Sequence, residues 1–597
     1  MLSRLLNTLD WIRRITVNLV FLAVVVAIIA AIAMNQPRVP DQGALILNPK
    51  GALVEQLTLP APGAFPFAAP TGDQSRMRDL LDAIHAAGED ARIRVMVLDL
   101  SEMNRASLSK LQELRRAIDG FKKHGKKVYA FGNTYTQAQY YLAASADKVF
   151  LHPMGMVVLR GLGLYRNYFK DALDKLDVKV HLFRAGTYKS AAEPLVRNNM
   201  SAADRMANAT WLNHLWDAYK RDVAEMRGIK PEALQSLLDH PAQHLEKQHS
   251  SLARLALSEG LVDKLASEDE ADAAIAAELG LKGTERFPAI NYHHYLKAID
   301  RNGKTHGDSV VGIITASGTI QGGKQPSGTI GGESLSTLLD KARRNPRIKS
   351  VVLRIDSPGG SALASEEIRE RLEKLRRAGK PVVVSMGSMA ASGAYWIASA
   401  ADEIWASPTT LTGSIGVFGL FAELHDGLEK LGIHSDGIGT TSIAGGMRMD
   451  RPMNPELARV FQMSVDDIYQ QFIEKVAKGR KMTPDTVEKV AEGRVWSGID
   501  AKRLGLVDHL GGLKQAIAAA ADKAGIAQHY GVLHIHTPRR FMDRLYADMM
   551  GEAKAWMPTP MATMLPASLH GVADGMAHLG AAANPTGIYA YCGIEAP

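Results

Sequence analysis

At 597 residues the chain is too long for one hydrophobic core, so two or more domains are required. Hydrophobic residues make up 46% and charged residues 22%, the balance of a folded globular protein rather than a disordered one. The net charge of +7 is mild for this length and no Lys/Arg block stands out, which argues against nucleic acid as a partner; the one cysteine, Cys592, excludes an internal disulfide and a cysteine-based zinc cluster.

In chain order, the first feature is "VNLVFLAVVVAIIAAIAM", Val17–Met34, which carries no charge. At about 1.5 Å per residue a helix of this length nearly crosses a hydrocarbon core of ~30 Å. Arg4, Arg13 and Arg14 precede it, and positive flanks stay in the cytoplasm. The reading is a cytoplasmic N-terminus and transmembrane anchor over residues 1–40. The rest then lies outside the cytoplasm, in the periplasm of a Gram-negative cell. A cleaved signal peptide is the alternative, since Ala31–Ala33 resembles a small-residue cleavage site, but the run exceeds the usual ~7–15-residue signal core.

Beyond the anchor the chain repeats itself. "RIRVMVLDL" from Arg92 matches "RIKSVVLRI" from Arg347, and Ala146-Asp147 matches Ala401-Asp402, both at an offset of 255. Gly186 in "LFRAGTYKSA" aligns with Gly439 at 253, and "GLVDKL" (Gly260–Leu265) matches "GLVDHL" (Gly505–Leu510). These markers predict a tandem duplication, with repeats over residues 41–290 and 291–530 and a mobile tail over 531–597. Each repeat alternates short apolar runs with helical patterns. In the second, Val310–Thr315, Ser350–Asp356 and Pro381–Met386 read as strands, and "SEEIRERLEKLRRAG" as an amphipathic helix. The pattern predicts an α/β fold with a largely parallel sheet. Ala202–Met226 and Asn454–Lys478 read as helical arms for packing or oligomerisation.

The chemistry gathers in the second repeat. Ser392 follows a strand and precedes a helix in "SMGSMAASGAYW", a place from which a hydroxyl can attack a bound carbonyl. Serine is a weak nucleophile without a base, and no His, Lys, Asp or Glu lies between Ser385 and Tyr395. About 30 residues upstream, "DSPGGSA" (Asp356–Ala362) places Gly359 and Gly360 where their N–H groups are unobstructed. Alone this loop would be a tight turn. With the N–H of Gly393 it makes a candidate oxyanion hole.

The repeat supplies the base. At the offset of 255, Ser392 corresponds to Gln137, and Gly359-Gly360 to Asn104-Arg105, so the first copy lacks both nucleophile and hole. In the last matched block the first copy has Lys189 where the second has Ser442. A Ser392–Lys189 dyad assembled across the copies follows. It requires a lysine pKa lowered from about 10.4 toward ~7–8 by desolvation at an apolar junction. Ser414 in "TLTGSIGVFG" is positioned to hold the lysine's lone pair toward Ser392. A His-based triad would draw on His434 and Asp436, in a stretch that reads as an exposed loop; His293 and His294 lack metal-ligand spacing.

"DSPGGSALASEEI", "MGSMAASGAYWIA", "LTGSIGVFG" and "GTYKSAAEP" resemble the long, duplicated form of the signal peptide peptidase A family over about residues 10–530. The resemblance implies a Clp-protease/crotonase-like fold in each repeat and a membrane-anchored serine protease. It implies Ser392 as nucleophile, Lys189 as general base, Ser414 assisting the lysine, and Gly360 and Gly393 as oxyanion-hole donors. It further implies a homo-tetrameric bowl on the outer face of the bacterial inner membrane that degrades released signal peptides without cofactor or metal. Ala394, where the family pattern would have glycine, is a small departure. Two other classes remain: a catalytically silent membrane-anchored scaffold of this fold, and an acyl-CoA enzyme, which the outward location disfavours.

Overall fold

Two parallel sheets of matching strand order, one from each half of the chain, form the frame of the molecule. The computed structural model describes residues 11, 13–23, 37–58, 72–281, 287–299, 307–536 and 588–592. The first sheet runs Ala289–Asn291, Gly43–Leu47, Ile93–Leu98, Lys127–Thr136, Lys148–Val158, Lys264–Leu265, every pair parallel. The second runs Gly531–His534, Val310–Ser317, Ile348–Ser357, Val382–Ala391, and continues through Leu411–Gly413 to an antiparallel edge strand, Val495–Ser497. Glu403–Ala406 and His509–Leu510 branch from it. Strands such as Val310–Ser317 and Ile348–Ser357 are near-continuous Val/Ile/Leu because helices cover both faces of such a sheet.

The duplication extends to single hydrogen bonds. Tyr140 Oη donates to the Leu261 carbonyl, and Tyr395 Oη to that of Leu506, both 2.8 Å. Two expectations need correction. The predicted tail starts too early, because Gly531–His534 pairs in parallel with Val310–Ile313 and closes the second sheet as Ala289–Asn291 closes the first. A second piece of it, Ile588–Tyr591, is also a strand; residues 537–587 lie outside the described residues. Both strands are four residues long, too short to show a period. Of the expected anchor, residues 13–23 are helical and 24–36 lie outside the described residues; no described helix is long and apolar enough to cross a membrane.

The halves are joined by a third sheet and by buried polar contacts. Lys179–Ala185 of the first half pairs antiparallel along its whole length with Val417–Glu423 of the second. Arg354 reaches across to Glu55 at 2.7 Å and Glu113 at 2.9 Å, and Lys110 reaches Asp356 at 2.6 Å. Ser107 Oγ and Ser388 Oγ share a buried hydrogen bond of 2.5 Å. Each long helix also crosses the junction: Ala202–Arg227 contacts Val495–Ser497, and Pro455–Arg480 contacts Lys179–Ala185.

Candidate active site

The strand Val382–Ala391 runs into Ser392, and the helix Gly393–Ala398 starts on the next residue. Small residues (Gly387, Ala390, Ala391) let this strand lie wholly buried between Ile348–Ser357 and Leu411–Gly413. Ser392 makes the turn with φ 58° and ψ −118°, a conformation a non-glycine residue rarely holds. Such a residue costs about 1–3 kcal/mol and persists only where its surroundings fix it. Here the Ser392 N–H donates to the Gly413 carbonyl at 2.8 Å, and the Ser392 carbonyl accepts from Trp396 N–H at 2.9 Å. The tight elbow lifts the hydroxyl clear of the helix it precedes.

Lys189 follows the first-half strand Lys179–Ala185, which its pairing with Val417–Glu423 carries into the second half. Its Nζ lies 2.6 Å from Ser392 Oγ and 3.0 Å from both Oγ and the carbonyl oxygen of Ser414. Lys189, Ser392 and Ser414 are all buried. Burial pushes the lysine pKa down to about 7, opposed by the nearby Cys592 thiol. A neutral amine has two N–H groups and one lone pair. With both N–H groups given to Ser414, the lone pair is left for the Ser392 O–H. Ser414 itself has φ 52°, and its N–H donates to the Arg494 carbonyl at 2.7 Å, which fixes it under the lysine.

Opposite the serine lies the glycine loop. Gly359 and Gly360 have φ 99° and 154°, and a Cβ on Gly360 would sit 2.1 Å from the Ile320 carbonyl oxygen, so only glycine fits. Gly393 is the first residue of its helix, where an N–H has no partner within the helix. Asp356, which opens the loop motif, was not singled out from sequence. One carboxylate oxygen accepts the Met389 N–H at 3.0 Å and the other takes Lys110 Nζ at 2.6 Å, bracing loop, nucleophile strand and first half together.

The first-half copy of this place is filled. Gln137 accepts from the Arg160 and Gly161 N–H groups at 3.0 and 2.9 Å and donates to the Gly161 carbonyl at 3.2 Å. Asn104 and Arg105 occupy a short strand matching Gly359–Ser361. Ser442, the counterpart of Lys189, is on an exposed loop, as are His434 and Asp436, none of which hydrogen-bonds Ser392.

Comparison with known proteins agrees with this arrangement. The sequence pattern of peptidase family S49 matches residues 120–282 and 374–527, one stretch in each half. "Protease 4" of Salmonella typhi is 38% identical over 606 residues, covering 98% of this chain and 96% of that protein. "Protease 4" of Haemophilus influenzae is 36% identical, covering 86% of this chain and 85% of its own. The chloroplastic "Serine protease SPPA" of Arabidopsis thaliana is 32% identical, covering 74% of this chain and 64% of its own.

Proposed function

The chain belongs to peptidase family S49 and is a serine protease; from that premise we propose that it cleaves apolar peptides, released signal peptides among them, with Ser392 as nucleophile and Lys189 as general base. The observation that carries the reading is the 2.6 Å contact between a buried Lys189 Nζ, its pKa near 7, and Ser392 Oγ. Lys189 takes the Ser392 proton as Oγ attacks the substrate carbonyl. The Gly360 and Gly393 N–H groups stabilise the oxyanion. The proton then passes to the leaving amine, and Lys189 activates the water that hydrolyses the acyl-enzyme. The strands Gly359–Ser361 and Val417–Glu423 flank a slot one strand wide, suited to an extended peptide. Beside it, Leu363, Trp396, Val460, Met463 and Ile468 line an open cleft of about 660 Å³, which supports apolar side chains in the substrate.

Membrane anchoring through Val17–Met34 with the catalytic part outside the cytoplasm belongs to the same proposal, supported by the apolar run and its arginine flanks. So does a closed homo-tetramer. Residues 162–168, the first-half counterpart of Val417–Glu423, pair with no strand among the described residues, and Tyr165 is exposed. Leu431, Ile433 and Ile438, in the second-half counterpart of the lysine strand, are exposed as well. Joining these two segments between neighbouring copies would repeat the contact already made within one chain, head to tail.

The test is hydrolysis of a fluorogenic apolar peptide by the wild type, Ser392→Ala and Lys189→Ala. Both variants are expected to be inactive. Near-normal turnover by Lys189→Ala would place the base elsewhere. The reading of a silent scaffold would require an inactive wild type.

A further inference from the structure

The slot beside the catalytic serine is occupied by the chain itself. Ile588–Tyr591 runs antiparallel between Gly359–Ser361 on one side and Val417–Glu423 on the other. Without this strand the third sheet would fall into two pieces, one edged by the glycine loop and the other by the strand after Ser414. The segment therefore sits where an extended substrate would add itself to both edges.

The register defines which bond is presented. Tyr589, Ala590 and Tyr591 lie opposite Ser361, Gly360 and Gly359, and the Cys592 N–H donates to the Pro358 carbonyl at 2.7 Å. In an antiparallel ladder, hydrogen-bonded pairs alternate with non-hydrogen-bonded ones. Cys592–Pro358 is a hydrogen-bonded position, so the next is Ala590–Gly360. The alternation aims the Gly360 N–H at the Ala590 carbonyl, and the helix that opens at Gly393 is in contact with the same strand. One residue beyond Tyr591, Cys592 is buried and close enough to Lys189 for its thiol to act on the lysine's pKa. The bond from Ala590 to Tyr591 thus lies between the oxyanion donors and the lysine.

We propose that the C-terminus is this enzyme's own substrate, cut between Ala590 and Tyr591 so that residues 591–597 are released and the mature chain ends at Ala590. The proposal rests on the Ser392–Lys189 reading. Ser392 Oγ forms an ester with the Ala590 carbonyl carbon as the C–N bond to Tyr591 breaks. Lys189 passes the serine's proton to the departing Tyr591 amine. Water then hydrolyses the ester, leaving a carboxylate on Ala590 and the proton back on Ser392. Until that reaction occurs, the uncut segment fills the slot and excludes other peptides.

Cys592 provides the readout, because it is the only cysteine in the chain and leaves with the cut peptide. Full-length wild type, Ser392→Ala and Tyr591→Pro are purified in detergent, incubated, and measured by intact mass and by thiol titration after denaturation. Wild type is expected to have the mass of a chain ending at Ala590 and no thiol; Ser392→Ala keeps its full mass and one thiol. Tyr591→Pro, with both dyad residues intact, keeps its thiol because the bond to be cut has lost its N–H and secondary amide. A wild type that hydrolyses the apolar peptide yet retains its full mass and thiol overturns self-cleavage and leaves the dyad standing. One that does neither overturns both. Loss of the thiol from Ser392→Ala as well assigns the cut to another protease and also overturns the proposal.

Discussion

The reaction should follow the titration of one buried amine. With Lys189 at about 7, half the molecules hold the neutral base at pH 7, whereas a lysine left at 10.5 would offer it in roughly one molecule in 3,000. The kcat/KM for an apolar fluorogenic peptide should rise about tenfold per pH unit below 7 and level off above it, since this ratio reports the base of the free enzyme. Lys189→Arg keeps a cation but cannot become a base below pH 12, so it should be inactive across the range. Stability carries the same signature. The folded-state pKa lies below the unfolded one, so the penalty for burying the lysine is fully present below pH 7 and is relieved as pH rises toward 10.5. Relative to Lys189→Met, wild type should therefore gain about 1.4 kcal/mol per pH unit in that window, or about 2.7 kcal/mol from pH 7 to 9. Scanning calorimetry of the two proteins at pH 7, 8 and 9 reads this gain. A rate that keeps climbing to pH 10, or a wild-type and Lys189→Met stability difference that does not move with pH, would refute the argument.

Ser414→Ala removes one of the two acceptors that turn the lysine's lone pair toward Ser392, and a lost hydrogen bond of about 1 kcal/mol should lower kcat some five- to tenfold with KM little changed. An unchanged kcat would leave the Ser414 carbonyl as the sole orienting group. Gly360→Ala pushes a methyl against the Ile320 carbonyl and displaces an oxyanion donor, so kcat should fall about 10²–10³-fold; a change confined to KM would remove Gly360 from the hole. Arg354→Met strands Glu55 and Glu113 in the junction, at a cost of about 3–5 kcal/mol, and should lower both melting temperature and activity without touching the dyad. Breaking the exposed Lys324–Glu333 pair should cost less than about 1 kcal/mol in the same assay.

The dyad was legible because duplication left a comparison inside one chain: a serine kept in one copy and a lysine in the other narrow the search to two positions. What pairs only in three dimensions was not. The nucleophile strand reads from sequence as ending at Met386, yet it continues to Ala391. Gly387, Ala390 and Ala391 have weak strand preference, and it is pairing on both sides that holds them extended. Asp356 reads as the first residue of a turn, while its partner Lys110 is 246 residues away. The strain at Ser392 is invisible because serine has no preference for positive φ. "IYAY" has too few residues for a period, and its two partner strands lie some 170 and 230 residues upstream.

Division of the dyad between two copies also solves a problem of placing a base. A lysine in contact with water stays protonated near pH 10.5, and one buried in its own domain must be desolvated while that domain folds. Here the strand that carries Lys189 lies at the edge of the third sheet, and its only strand partner is Val417–Glu423 of the other half. The hydroxyl, carbonyl and apolar surroundings of the amine come from that half too. Separating the halves would return Lys189 to water and restore its proton, which removes the base at neutral pH. Docking them creates nucleophile and base in one event. The Arg354, Lys110 and Ser107 contacts across the junction therefore act on catalysis through the lysine's protonation, although none of them touches the dyad.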